Sequence, residues 1–520
     1  MKVLIVTAKL AEETVRRHLK ELRDVEVIAL DASVAALLTP GRIARDLKER
    51  GVQGFHVILV PGLVAGDVST VDDTLGIPAF KGPRYAADLP WVIEALGRVT
   101  LSKTVPACDI LRAELQLQAG REIASIEARY ANVPLAEGGV QVGKLLLGRG
   151  VPPRVMAEII DVPLLSDEQI QQKARYYLDS GADIIDLGMQ VGESKPDDAA
   201  RAVKAVRRVS DHPISIDTLN VHEIEAAVDE GVDLILSVDG GNLAQVANVA
   251  GNAAAVVIPA NHVEGRFPKK PMERVALLEE LIRKARALGM HRLIADLILD
   301  PLCSPGIVPS LVAYAAFAER NPNVPLLFGV GNVTELLDAD SAGVNALLAG
   351  IAAEVGGSIL LTTENSDKTR GCVRELTTAS KMMTLARTRG SVPKDLGLSL
   401  LLYHEKRAKE EPYDVSQERA AKAIEVDRSP GLRMDPRGCF KVLVDRGTGQ
   451  LVAAHFGPGE SSMPDVVLKG KGAETVYKAL VDGGLVSTLE HAAYLGLELG
   501  KAEVALRTGR SYVQDAPLFE

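Results

Sequence analysis

Aromatic side chains make up only 4% of these 520 residues, and there is a single tryptophan. That scarcity argues against the stacking platforms on which proteins lay out single-stranded nucleic acid. Basic surplus is missing as well. The formal net charge is −10, whereas a protein that tracks phosphate backbones needs a basic face. Cysteine is sparse. Cys108, Cys303, Cys372 and Cys439 lie far apart with no C-x-x-C pair, which offers neither a disulfide framework nor a zinc cluster and fits a reducing cytosol. No apolar run reaches the ~18 residues of a membrane-crossing helix. The opening Met1-Lys2-Val3-Leu4-Ile5-Val6 enters a strand directly, without a signal-peptide cleavage pattern. A cytoplasmic enzyme or binding protein is therefore expected, with no nucleic-acid or membrane partner.

What is present is ample core. Apolar residues are 47% and charged residues 25%, the balance of an ordinary globular protein, and the length calls for about three domains. Residues 1–120 read as a small doubly wound, flavodoxin-like α/β unit. Its strands are Val3–Val6, Val25–Leu30 and Val57–Val60, with helices at Glu12–Glu21 and near Arg42–Arg50. A ligand edge would lie beyond the strand carboxyl ends, at Thr7, Asp31, Pro61-Gly62, Gly66-Asp67 and Lys81-Gly82-Pro83-Arg84. A helix from Asp109 to about Ala131 reads as the connector. Residues 420–520 read as a small α+β domain, with a hairpin of Phe440–Val444 and Leu451–Phe456 and helices near Ala473–Asp482 and Thr488–Ala505. His455 and His491 read as structural histidines. The charged stretch Glu405–Arg419 between them and the middle of the chain reads as a solvated helix or linker.

The middle, residues 140–390, is where strand and helix patterns alternate eight times, as in a (β/α)₈ TIM barrel. The hexad Pro213-Ile214-Ser215-Ile216-Asp217-Thr218 is typical: a short β-branched run, flanked by helical stretches, ending in a carboxylate and a hydroxyl. Seven further strands are expected at Arg154–Val162, Asp183–Leu187, Asp233–Val238, Ala254–Ile258, Leu293–Leu299, Pro325–Val330 and Ser358–Thr362. Barrels place their chemistry at the strand carboxyl ends. There the chain offers Asp161, Gly192-Glu193-Ser194-Lys195, Asp217, Ser237 with Asp239, Asn261-His262, Asp300, Asn332 and Glu364-Asn365-Ser366. Acids and amides converging on one mouth suit a flat, amide-like heterocycle. A carboxylate pairs an amino group and the adjacent ring N–H as two parallel hydrogen bonds. No barrel lysine sits within an apolar strand as a Schiff-base former would.

Five motifs in order make a resemblance. Gly181-Ala182-Asp183-Ile184-Ile185-Asp186-Leu187-Gly188, Gly192-Glu193-Ser194-Lys195-Pro196, Ile214-Ser215-Ile216-Asp217-Thr218, Ile298-Leu299-Asp300-Pro301 and Pro325 to Val333 resemble the pterin-binding barrel of dihydropteroate synthases and of folate- or methanopterin-dependent methyltransferases. The three-part arrangement resembles dihydropteroate synthase-related proteins linked to tetrahydromethanopterin. The resemblance implies a pterin pocket lined by Asp217, Asp300 and Asp161, joined by Asn332, Asp239, Asn261 and Glu364. Lys368 and Arg370, two cations that open the last helix, are expected to hold a leaving phosphate beside its N-terminal N–H groups, with a Mg²⁺ at Asp161. The chain departs from the synthases in three places. Asn332 stands where they carry lysine, Leu236 or Ser237 where they carry asparagine, and Glu364-Asn365-Ser366 replaces their Arg-x-His.

Three functions follow as expectations: condensation of a dihydropterin diphosphate with an arylamine, methyl transfer from a tetrahydropterin to a corrinoid protein or small acceptor, or pterin carriage without chemistry. Related barrels dimerise, so a homo-oligomer is expected too.

Overall fold

The computed structural model describes residues 1–130, 139–406, 424, 426, 431, 433–459 and 462–519. Ala131 at the end of the expected connector, and most of the charged stretch Glu405–Arg419, lie outside the described residues. The chain divides into two compact units, Met1–Glu411 and Pro412–Glu520.

The first unit opens with a four-stranded parallel sheet in the order β2-β1-β3-β4: β1 is Val3–Ala8, β2 Val25–Leu30, β3 Val57–Val60 and β4 Ala79–Lys81. β1 and β3 are buried throughout, as their unbroken apolar sequences require in a sheet covered on both faces. The short β4 was not read from sequence. The helix Ala107–Tyr130 then runs to the barrel, where Ala119 and Ile123 pack with Leu385, Ala386 and Leu396, and Glu122 pairs with Arg389 at 2.7 Å.

A hairpin precedes the barrel, β5 (Val140–Val142) and β6 (Leu145–Leu147). Its Val140, Val142 and Leu147 share one buried cluster with inward barrel residues Met156, Ile184, Leu234, Val256, Ile294, Leu327 and Ile359. The hairpin therefore plugs the amino end, so the open mouth is the carboxyl end. The eight strands β7 (Arg154–Ile159), β8 (Ile184–Gly188), β9 (Ile214–Asp217), β10 (Leu234–Val238), β11 (Ala254–Val257), β12 (Leu293–Ala295), β13 (Leu326–Gly329) and β14 (Gly357–Thr363) close into a parallel barrel. Alternation does the sorting. Val155, Ala157 and Ile159 of β7 pack outward against helices, while Met156 faces in.

Two strands end earlier than the sequence pattern indicates. β7 stops at Ile159, and Asp161 follows in the left-handed region at φ 52°. β12 stops at Ala295 because the Asp296 carboxylate accepts the Ile298 N–H at 2.7 Å and Ile298 turns to φ 64°. That is a strained setting for a β-branched residue.

The second unit is a three-stranded antiparallel sheet, β15 (Cys439–Asp445), β16 (Gln450–Phe456) and β17 (Val466–Gly470), with helices Ala473–Asp482 and Leu489–Thr508. β17 adds a strand to the expected hairpin. His455 meets Asp465 at 2.6 Å and His491 meets Asp435 at 3.2 Å. Asp435 also accepts from the amides and hydroxyls of Ser487 and Thr488. Among the described residues, no helix is long and apolar enough to cross a membrane.

Candidate active site

Four carboxyl groups define the barrel mouth. The register sets Glu158 of β7 beside Asp186 of β8, and Asp186 beside Ser215 of β9. One step higher, Asp217 lies beside Gly188. Glu158, Asp186 and Asp217 bring carboxylate oxygens within 4.8 Å of one another. Asp296 follows the inward-facing Ile294 by two residues at the end of β12, and its charge raises the Asp217 carboxyl. Gly188 is required: a Cβ there would lie 2.5 Å from Glu158 Oε1. Gly188→Ala is accordingly expected to keep the fold, because a carboxylate end can swing, but to scatter the cluster. Carboxyl-carbon NMR titration should then show the raised pKa values falling toward the ordinary range.

Burial sets the electrostatics. Asp186 is fully buried; its Oδ1 accepts from Ser215 Oγ and its Oδ2 makes no hydrogen bond. Burial, then the charges of Asp217 and Glu158, push its pKa well up. Burial and the charges of Glu158 and Asp296 push Asp217 up to about 8. Burial and Asp161 raise Glu158. Asp296 goes to about 6, raised by burial and held back by the Tyr314 hydroxyl and the Ile298 amide. Acids this close cannot all ionise. At neutral pH the mouth therefore holds protons, and a ligand presenting N–H donors would relieve it.

The other residues singled out in the sequence fall into two groups. Asp161 is exposed at the rim and accepts from Gln190 Nε2 at 3.1 Å, while Lys195 Nζ donates to Gln190 Oε1 at 3.2 Å. Asn332 sits exposed over β13, with Nδ2 donating to Leu299 O at 3.0 Å. Asn261 uses its Oδ1 to cap the Glu264 amide and stands against the loop after β10. These three stand at the rim.

Asp239, Asp300 and Glu364 have other tasks. Asp239 is fully buried and accepts from Gly241 N, Asn242 N, His262 N and the His262 ring. Asp300 pairs with buried Arg274 at 2.6 Å and accepts from Ser310 at 2.7 Å. Glu364 accepts from Val373 N and Tyr176 Oη. Their oxygens hold loops and helix ends in this structure. Lys368 donates to Leu337 O and Asp338, and Arg370 to Asp367, so both cations are already answered by their own loops.

Glu158, Asp186 and Asp296 were not singled out from sequence. The available signal was an acid at an inward position of an otherwise apolar strand, as in Val155-Met156-Ala157-Glu158 and Ile184-Ile185-Asp186. The oxygens of Glu158, Asp186 and Asp217 are also the one acid, histidine or cysteine trio so gathered among the described residues. A divalent ion fits their chemistry better than it fits the single exposed carboxylate of Asp161.

Residues 161–346 match the family model described as pterin binding enzyme. Residues 1–84 match a family of unknown function, DUF6513, and residues 434–515 match PterinBD-DUF4346. Uncharacterized protein MJ0107 of Methanocaldococcus jannaschii is 39% identical over 100% of this chain and 99% of its own length. Among solved structures, Yersinia pestis dihydropteroate synthase with a pterine-sulfa conjugate is 20% identical, covering 48% of this chain and 99% of that one with a TM-score of 0.39. The Xanthomonas albilineans synthase in complex with 7,8-dihydropteroate is 18% identical, covering 49% and 99% with a TM-score of 0.38. The chain belongs to the family of the Methanocaldococcus jannaschii protein, and its barrel is of the pterin binding enzyme family.

Proposed function

We propose that the barrel is a transferase acting on a reduced pterin, and that it joins a dihydropterin diphosphate to an arylamine in the making of a methanopterin-type cofactor. The observation that carries this reading is the convergence of Glu158, Asp186, Asp217 and Asp296 on one mouth. A pterin offers its amino group and neighbouring ring N–H to Asp217, and displaces the shared protons as it does so. Asp296, fixed by Tyr314 Oη and Ile298 N, supplies a further acceptor, and Asn332 borders the ring from the open side. Lys195, which shares Gln190 with the Asp161 tip, stands on the diphosphate side, while Lys368 and Arg370 pair with Asp338 and Asp367.

In the reaction the arylamine nitrogen attacks the pterin methylene carbon. The carbon–oxygen bond to the diphosphate breaks, its electron pair leaves with pyrophosphate, and the amine proton passes to water or to an ionised carboxylate. The chain's own residues bind and orient the two partners, which supplies most of what such a displacement needs.

A second reading is transfer of a methyl group from N5 of a tetrahydropterin. It is favoured by carboxyl groups that stay protonated at neutral pH, because an N5 leaving group must gain a proton.

Calorimetry with a reduced pterin is expected to give one site per chain. Pyrophosphate should appear when the diphosphate and 4-aminobenzoate are supplied together, and not when either is omitted. Binding without pyrophosphate, but with loss of methyl from methyl-tetrahydromethanopterin, would replace the first reaction by the second. Binding with neither chemistry would leave a carrier. Absence of pterin binding would end all three.

A further inference from the structure

The N-terminal sheet carries a cavity that the barrel chemistry does not use. Its volume is about 350 Å³, within the range of small-molecule sites. It lies where the strand order β2-β1-β3-β4 reverses direction, beyond the carboxyl ends of β1 and β3, the crevice in which open parallel sheets bind ligands. The floor is apolar: Ile5, Val6, Val15, Leu59, Val60 and Leu89. At the entrance Leu10 is 58% exposed, Leu63 47%, and Val34 and Tyr85 43% each. Leu10, Leu63 and Val34, three aliphatic side chains exposed around one cavity, mark a surface meant to be covered. The loops after β3 and β4 are also pressed together, since a Cβ on Gly62 would stand 2.6 Å from Gly82 O.

Charge decides what kind of ligand fits. The turn from β1 into the helix Glu12–Leu19 reads Ala8-Lys9-Leu10-Ala11, with no glycine to let a phosphate approach the backbone. The helix opens with Glu12 and Glu13 in its first turn, which repel an anion from the end that otherwise attracts one. The nearby cations are spent, Lys9 on Asp31 and Arg84 on Asp109. What remains to make hydrogen bonds on the wall is Thr7, Thr14, His18 and Ser33.

We propose that this cavity is a second ligand site, and that it takes an uncharged, mainly apolar ring compound, held by aliphatic walls and a few hydroxyl or imidazole contacts, and not a nucleotide.

The full-length chain should be titrated with N-phenyl-1-naphthylamine, an uncharged fluorescent ring compound. One blue-shifted site per chain is expected. Thr14→Phe, which fills the cavity from the helix, should weaken it at least tenfold, and Ala35→Phe should do the same from the opposite wall. Both variants should keep the wild-type unfolding midpoint and the wild-type pterin affinity. Millimolar ADP should not displace the probe. The proposal is overturned if both filled variants bind the probe normally. It is equally overturned if the signal is lost only on Ala492→Trp, which fills the apolar pocket between the two C-terminal helices, or if ADP competes.

Discussion

Asp217→Asn is expected to make the chain more stable at pH 8 and at the same time unable to hold a pterin. The carboxyl at position 217 is pushed from 3.8 up to about 8 by burial and by Glu158 and Asp296. Below about pH 4 it is protonated in both the folded and the unfolded chain and costs nothing. As the pH rises from there, the unfolded carboxyl ionises while the folded one stays neutral. Stability is therefore lost across the interval between the two values. At ~1.4 kcal/mol for each unit of difference, the loss reaches on the order of 5 kcal/mol near pH 8. Asparagine keeps the shape and does not titrate. The gap between variant and wild type should be near zero at pH 3 and nearly full at pH 8, in urea unfolding followed at several pH values. A gap that is flat with pH would show that this carboxyl is not held neutral by the fold.

The same linkage governs binding. A ring edge that donates two N–H groups takes the ionised carboxylate, so binding below pH 8 expels a proton. Pterin affinity should rise with pH, by roughly 50-fold between pH 6 and pH 8 at one proton per site, and then level off. The variant should bind weakly and without this slope. Stability given up at a ligand site in this way is a familiar cost of function.

The barrel was legible because its signal is local. Each strand is a short, mainly apolar run, and two of the helices between them carry their own side-chain caps, Ser166 with Gln169 and Asn220. Asp217 was legible for the same reason, being the first acid after an apolar run. Glu158 and Asp186 were not, because an acid inside a strand draws notice only once the neighbouring strand puts a second acid beside it, and that register is tertiary. Asp296 was hidden by the apolar Leu297-Ile298-Leu299 that follows it. Those residues extend the strand on paper, but Ile298 turns to a positive φ. What Asp239 and Asp300 hold was not legible either, because sequence names an acid without naming its partner. The ring of His262 and the guanidinium of Arg274 reach them from 23 and 26 residues away.

Arg274 gives the second large effect, and with it the choice between two neighbouring acids. Its side chain is 6% exposed and that of its partner Asp300 13%. The guanidinium also donates to the carbonyls of Pro268, Leu297 and Ile298, so it clamps the strained loop that aims Asp296 into the mouth. Arg274→Met leaves a buried carboxylate unpaired and three carbonyls without a donor, which is expected to cost ~3–5 kcal/mol in denaturant unfolding. Asp300→Asn should lose part of that stability and leave pterin affinity within threefold of wild type. Asp296→Asn should do the reverse, with stability kept or gained and affinity lowered at least tenfold. If Asp300→Asn instead abolishes binding at full stability while Asp296→Asn binds normally, the acid that grips the ring is the one paired with arginine, and the mouth has been drawn one turn too deep.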